Sequence, residues 1–375
     1  MHYLDHAATT PVSRAVAEAM MEALTAGYGN PSGQYAFGRE AKSLVDAGRA
    51  TIAKALGCKG EQIYFTSCGT ESDNWAIRAA LHQNRHLGKH IVTTAVEHSA
   101  VLQCMKALES EGYTVTYLKP DSQGRITAQQ VMAALQEDTA LVSMMLVNNE
   151  TGVRFPVEEV GALLKNRKTL LHTDAIQGFL KVPFTAKSLN ADFIAISAHK
   201  IGGPKGIGAL YIGGKARNPK PLLYGGGQES GIRPGTEPTA QIAGFAKAVQ
   251  LRMEQSEAHI AHMAKCRAYA VEKLSAIETL QFIGAGDAPH ILSISLPGYP
   301  SQNIVSDLDT RGICISAGSA CHRGKASHVL VAMGLEKKVA AGVVRISFGP
   351  ETTFEDIDAL YEALLNHKNT RFAML

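Results

Sequence analysis

The chain has no Cys-x-x-Cys pair, and its six cysteines (58, 68, 104, 266, 314 and 321) are too few and scattered in 375 residues for a disulfide framework. No apolar run approaches the ~20 residues needed to cross a bilayer. The opening Met1-His2-Tyr3-Leu4-Asp5-His6 has neither the basic start nor the apolar stretch of an export signal. Membrane and secretory readings are set aside, and a cytoplasmic location is expected. A surplus of one charge is also lacking. The net charge is +3, with Lys and Arg spread along the chain, so no direct nucleic-acid contact is expected. Gly-x-Gly-x-x-Gly after the first strand and Gly-x-x-x-x-Gly-Lys-Ser/Thr are both missing. A non-catalytic α/β nucleotide-binding protein using some other glycine-rich loop remains as a minor alternative. Internal repeats and low-complexity segments are absent as well.

Metal chemistry has little to stand on. Only His82, His86 and His90 have a spacing that suits chelation from one helix face. Gly88 interrupts that helix before His90, and no cysteine or carboxylate stands among them to complete a site. A solvated helix face is the expectation.

What is present is a globular pattern, 45% hydrophobic and 19% charged. Apolar strand-like runs alternate with helical patterns. Ile63-Tyr64-Phe65 precedes a helix from near Thr70, and Ile91-Val92-Thr93 one from about His98. Thr114 to Leu118 precedes one from about Thr127, and Ala140 to Val147 one from Val157. Strands at Leu170 to Asp174 and at 192–197 follow. This repetition argues an α/β fold with a large, mostly parallel sheet. Glu237 to about Ala276 reads as one long helical stretch, followed by strand-like Ile291 to Ser295 and Val343 to Ser347. Two domains are expected: a large one over 1–250 and a smaller C-terminal α+β domain over 251–375.

The richest segment is Asp192 to Gly208. A buried strand delivers Ser197, His199 and Lys200 to a loop with four glycines and a proline. A lysine held at a strand end, where its pKa can fall, suits a Schiff base; the plain alternative is a surface lysine after an edge strand. Other strand ends weigh against that alternative. Thr66 to Asn74 forms a strand–turn–helix join, with Thr70 and Asp73 read as a capping box and free N–H groups just after Gly69. Asp174 ends a further strand and suits a pyridine nitrogen. Glu97-His98 supplies an imidazole able to stack on a flat ring, and Asn148-Asn149-Glu150 closes a fourth strand. A pyridoxal-phosphate site accounts for all five strand ends together.

In these motifs the chain resembles the cysteine desulfurases of the NifS/IscS group, within the class V aminotransferase branch of fold-type I pyridoxal-phosphate enzymes. The resemblance runs from Tyr3-Leu4-Asp5-His6-Ala7-Ala8-Thr9-Thr10 to Arg345-Ile346-Ser347-Phe348-Gly349. It rests on Gly29-Asn30-Pro31-Ser32, Gly69-Thr70-Glu71-Ser72, Glu97-His98, Asn148-Asn149-Glu150-Thr151-Gly152, Asp174-Ala175-Ile176-Gln177, Ser197-Ala198-His199-Lys200, Arg233-Pro234-Gly235-Thr236 and Gly318-Ser319-Ala320-Cys321. It implies that Lys200 carries the cofactor, that Asp174 pairs with its ring nitrogen and that His98 stacks on the ring. Gln177 would reach the ring hydroxyl, with Asn149 near that hydroxyl and the substrate. Gly69, Thr70, Ser197 and His199 would hold the phosphate, and Thr236 would reach the phosphate of a neighbouring subunit in a homodimer with shared sites. Arg345 would clamp the α-carboxylate of L-cysteine, assisted by Asn30.

Cys321 separates the possible reactions. Glycine, serine and the basic His322, Arg323 and Lys325 surround it, a setting that favours thiolate. The expectation is a mobile loop whose cysteine takes sulfur as a persulfide and passes it to an acceptor protein, either a scaffold for iron–sulfur clusters or a tRNA-thiolation enzyme. Selenocysteine lyase is the nearest rival, because a histidine directly after the loop cysteine also occurs there. Three departures from the family pattern stand out. The loop after Cys321 is slightly short, Cys68 replaces a usual glycine, and Tyr35 replaces a usual histidine. Cys314 is read as a core strand residue.

Overall fold

Strand direction decides where the polar residues of this chain meet. A computed structural model describes residues 1–318, 327–371 and 373. The chain begins with β1 (His2–Tyr3) and the helices Arg14–Thr25 and Ala36–Leu56. There follow β2 (Ile63–Thr66), β3 (His90–Thr94), β4 (Thr114–Leu118), β5 (Thr139–Ser143), β6 (Leu170–Asp174), β7 (Phe193–Ser197) and β8 (Gly208–Ile212). These seven form one sheet in the order β2-β8-β7-β6-β5-β3-β4. Strands β3 to β7 are mutually parallel, while β8 is antiparallel to both of its neighbours, β7 and β2. Two reversals restore direction, so β2 points the same way as β7. The carboxyl ends of β2, β3, β5, β6 and β7 therefore open on one edge.

Every residue of β3, β5, β6 and β7 is buried, as strands covered on both faces require. Consecutive residues divide between two cores, because side chains alternate across a strand. Ile91, Leu141, Leu170 and Phe193 pack with Trp75 and Ile77 of helix Gly69–Gln83, while Val92, Val142, Leu171 and Ile194 pack on the opposite face. The extended run read over Ala140 to Val147 has β5 as its first part. Beyond it, Met144 and Leu146 donate N–H to His172 and Asp174 carbonyls, which carries the pairing toward Asn148. Strand β8, hidden behind the glycines that follow Lys200, was not anticipated.

The stretch read as one long helix is two, Thr239–Glu254 and Ser256–Leu274, meeting at Gln255, whose φ −127° and ψ 22° lie outside the helical region. The break has a packing cause. The first helix lies against Arg14–Thr25 and Ala36–Leu56, whereas Met263, Cys266, Ala270 and Leu274 of the second join another apolar core. That core backs the sheet of β9 (Gln281–Ile283), β10 (Ile291–Ser295), β12 (Ser316–Ala317) and β13 (Val343–Ser347), ordered β12-β13-β10-β9; β11 (Ile313–Cys314) pairs in parallel with β1 instead. Leu4 is buried in the same core, so the first residues are stitched to the last third of the chain. Among the described residues no helix is long and apolar enough to cross a membrane.

The three histidines singled out for their spacing do not share a helix face. His82 lies in helix Gly69–Gln83, whereas His90 is buried in β3 between the hydroxyls of Thr139 and Thr116.

The segment Gln228–Gly231 is pinned by a buried ion pair. Glu229 adopts a left-handed φ of 49°, and it accepts two bonds from Arg49 (2.7 and 2.6 Å) and one from Phe65 N (2.9 Å). Its carboxylate is almost fully covered, so removing the guanidinium leaves an uncompensated buried charge. Arg49→Ala is expected to cost roughly 3 to 5 kcal/mol in denaturant unfolding; a loss below about 1 kcal/mol, the scale of an exposed pair, would refute this anchoring role.

Candidate active site

At the shared edge lies a cavity of about 410 Å³. Nine residues expected at the site reach it from strand ends: Gly69 and Thr70 after β2, His98 after β3, Asn149 beyond β5, Asp174 and Gln177 from β6, and Ser197, His199 and Lys200 from β7. Arg345, on β13, closes the far side. Asn30 and Thr236 do not line it. Asn30 accepts Ser32 N–H in an exposed turn, and Thr236 lies exposed before helix Thr239–Glu254. Cys321 lies outside the described residues.

Lys200 sits in a one-turn 3-10 segment, Ala198–Lys200, directly after β7. Its Nζ donates to the carbonyls of Ala7 (2.8 Å) and Ala8 (2.6 Å). Burial, with the nearby Arg345 charge, lowers its pKa to about 8, partly offset by Asp174 and Asp5. About a tenth is thus neutral amine near pH 7, far more than for an ordinary lysine. Asp174 accepts Ile176 N–H at 2.9 Å. Burial raises its pKa, while His98, that N–H and Lys200 oppose the shift; a cation placed against it in the cavity would favour the carboxylate.

One wall is built to receive an anion. Helix Gly69–Gln83 starts at the cavity, and the N–H groups of its first turn have no acceptor within the helix. The capping box expected of Thr70 and Asp73 is not formed. The helix begins two residues earlier than that box requires, with Cys68 at its cap and no side-chain capping bond. Glu71 then occupies the third position and accepts Ser67 N–H at 2.7 Å, while Asp73 turns into the core. There its Oδ1 lies 3.3 Å from His172 Nε2, misaligned for a hydrogen bond. Burial raises the Asp73 pKa and lowers that of His172 to about 3, so it works against the charged form of each. A Cβ at position 69 would collide with Cδ1 of Ile176, so only glycine keeps this wall open without displacing that side chain. Ser197 and His199 complete it. Burial, then Lys200, lowers the His199 pKa to about 4, leaving a neutral ring beside Thr9.

His98 caps the helix Ser99–Ser110, its Nδ1 accepting Ala100 N–H at 3.2 Å. A neutral His98 therefore carries its proton on Nε2. Arg345 is held before any ligand arrives: it pairs with Asp5 at 2.7 Å and donates to Ser316 Oγ and Asn149 O, while its buried Nε has no partner among the described residues.

Sequence reading missed several participants. Asp5 orients Arg345, the Ala7 and Ala8 carbonyls hold Lys200, and Glu97 lies buried beneath His98, accepting from Thr94 Oγ1 and Met145 N. Their signal was confined to the quoted motifs around residues 3–10 and 97–98, which carried no hint of partner. Cys68 lines the cavity and Tyr35 is exposed at the start of helix Ala36–Leu56. Cys314 is half-buried in β11.

The fit to pyridoxal phosphate can be tested on this geometry. An amine of lowered pKa, a carboxylate across the cavity, and a helix N-terminus flanked by a serine and a neutral histidine match an aldehyde, a ring nitrogen and a phosphate. The residues fit.

Comparison with known proteins agrees with this arrangement. The model of the family described as Aminotransferase class-V matches residues 2–360. A curated relative, "Cysteine desulfurase IscS" of Clostridium botulinum, is 40% identical over 96% of this chain and 93% of its own length. A solved structure titled "NIFS-LIKE PROTEIN" superposes with a TM-score of 0.92 at 36% identity, covering 98% of this chain and 99% of the other. Another, "SspA in complex with cysteine", gives 0.82 at 34% identity, covering 94% of this chain and all of the other.

Titration checks these electrostatics at two residues. In competitive acylation read by mass spectrometry, Lys200 should gain reactivity through about pH 8, well below the ordinary lysine range; a midpoint in that ordinary range would contradict the lowered pKa. Burial raises the Glu97 pKa to about 8, so folding favours its protonated form and that stabilisation is lost as pH climbs from the unfolded carboxyl range through about 8. Denaturation midpoints should therefore show Glu97→Gln gaining on wild type between about pH 5 and about pH 8, with no further gain above. A pH-independent difference would mean that Glu97 is ionised throughout.

Proposed function

The chain belongs to the class-V aminotransferase family, and on that premise we propose that it is a pyridoxal-phosphate-dependent cysteine desulfurase, converting L-cysteine to L-alanine. The observation that carries this reading is the convergence of Lys200, Asp174 and Arg345 on one cavity beside an anion-receiving helix N-terminus. Relatives named cysteine desulfurase at 40% identity, and a neighbour solved with cysteine, support the choice of substrate.

Pyridoxal phosphate, when bound, supplies an electron sink for carbanion chemistry at an amino-acid Cα. Lys200 Nζ is its covalent anchor. The first-turn N–H of Gly69 and Thr70, with Ser197 and His199, binds the phosphate, Asp174 holds the ring nitrogen protonated, and His98 and Gln177 orient the ring, with Asn149 beside them. Arg345 binds the substrate carboxylate. In doing so its guanidinium exchanges part of its contact with Asp5 for the ligand. Once substrate has taken its place, Lys200 is a free amine of pKa about 8, suited to take the Cα proton on Nζ.

Cys321 is assigned from sequence. Its thiolate attacks the substrate sulfur and forms the S–S bond of a persulfide. The Cβ–S bond breaks with its electron pair left on carbon, and protonation of that carbon yields alanine. The persulfide sulfur then passes to an acceptor protein, a scaffold for iron–sulfur clusters or a tRNA-thiolation enzyme. We further place the chain in the cytoplasm as a homodimer, with Thr236 reaching the neighbouring subunit's phosphate, and divide it into a large unit over 1–250 and a smaller one over 251–375.

The test is incubation with L-cysteine, measuring alanine and protein persulfide together. Cys321→Ala should keep the yellow colour of a lysine-bound cofactor and still bind cysteine, yet form no persulfide and little alanine. Wild-type alanine yields from that variant would show that another group attacks the sulfur; retained turnover with selenocysteine alone would favour the selenocysteine-lyase reaction.

A further inference from the structure

Lys181 is a buried ionisable group that the chemistry above does not use. It lies in the turn after β6 and is 6% exposed. Its Nζ donates to Gln177 Oε1 at 3.0 Å. The other end of the same amide, Nε2, donates to Ala7 O at 2.8 Å, and Ala7 O also receives Lys200 Nζ at 2.8 Å. One hydrogen-bonded chain thus runs from Lys181 through Gln177 to the carbonyl that holds the candidate Schiff-base lysine.

Holding a lysine here is costly. The charged groups that weigh most on Lys181 are Lys200, Arg252 and Arg345, and the imidazoles of His6, His199 and His290 also feel its charge. Burial and those positive neighbours push the pKa of the amine well below the ordinary lysine range. Lys181 makes no ion pair among the described residues, and an aliphatic side chain would fill the same space without a polar atom to satisfy. What the amine does supply is a donor aimed at Gln177.

We propose that Lys181 is a positioning residue that locks the Gln177 amide with its carbonyl turned to Lys181 and its NH2 group toward the cavity, making Gln177 an obligatory hydrogen-bond donor to the cofactor oxygen facing it. One N–H is taken by Ala7 O, and the second is left for the ligand. The proposal rests on the cofactor reading above, in which that oxygen is the ring hydroxyl. Donation to this oxygen favours its deprotonated form. Without Lys181, Oε1 would be a buried acceptor with no donor, and the amide would lose one of the two contacts that hold it in this orientation.

The experiment is a pH titration of the visible absorption of the reconstituted enzyme, with cofactor affinity measured alongside. Lys181→Met should raise the midpoint by about half a pH unit or more, in the same direction as Gln177→Leu. The double variant should titrate as Gln177→Leu alone, because both changes remove one donor. A merely structural lysine would lower thermal stability and leave the midpoint in place; an unmoved midpoint, or shifts that add, overturns the proposal. Should Lys181→Met not fold, the wild-type holoenzyme still decides: its crystal structure must keep Lys181 Nζ within hydrogen-bonding distance of Gln177 Oε1, and a lysine turned away overturns the role. A wild type that never becomes coloured on reconstitution overturns the cofactor reading and this proposal together, whereas a coloured wild type with an unmoved Lys181→Met midpoint overturns only this one.

Discussion

The arrangement of this molecule depends on backbone hydrogen bonding between parallel strands. Once β6 pairs with β7, with Asp174 opposite Ala195, the strand ends lie on one edge and whatever follows them is brought together. Strand β8 preserves this rule by breaking it twice. Lying antiparallel to β7 and to β2, it returns β2 to the common direction, and with β2 the start of helix Gly69–Gln83. A parallel sheet buried on both faces leaves its strand ends as the natural place for charged and reactive groups. The concentration of hydroxyl, imidazole, carboxylate and amine at one edge follows from that restriction.

A second constraint is desolvation. Several ionisable groups meet in and under the cavity, and burial pushes each toward its uncharged form: Lys200 and His199 downward, Asp174, Asp73 and Glu97 upward. The arrangement tolerates this because backbone groups take part of the load. Ala7 and Ala8 carbonyls receive Lys200, and N–H groups of Ile176 and Met145 are given to Asp174 and Glu97. Arg345 is balanced directly by a carboxylate, Asp5, at 2.7 Å. The first ten residues thereby serve both halves of the site. Their strand β1 pairs with β11, Leu4 joins the second core, and the following turn supplies the partners of Lys200 and Arg345.

Much of this was legible in the sequence. The alternation of apolar strands with helices, the polar residues closing each strand, and the lysine between a serine–histidine pair and a glycine turn are local patterns, and local patterns report dihedral preference and periodicity directly. Where reading went astray, the cause was non-local. Thr70 and Asp73 satisfy the spacing of a capping box, yet packing against β6 draws Asp73 inward and starts the helix at Gly69. Glu237 to Ala276 is helical throughout in propensity, yet two separate cores pull its halves apart at Gln255.

The amino-acid sequence by itself determined the α/β class, the strand ends and the residue types gathered there, because each of these is encoded within a few residues of chain. Only the tertiary structure decided the partners. Asp5 meets Arg345 across a separation of 340 residues, Lys200 meets Ala7 across 193, and Lys181 comes to lie in a dry pocket among positive neighbours. Such contacts are made by groups with no shared local pattern, and their energies depend on how much water folding removes. Neither the pairing nor the dryness exists until the sheet and the N-terminal segment have closed over one another.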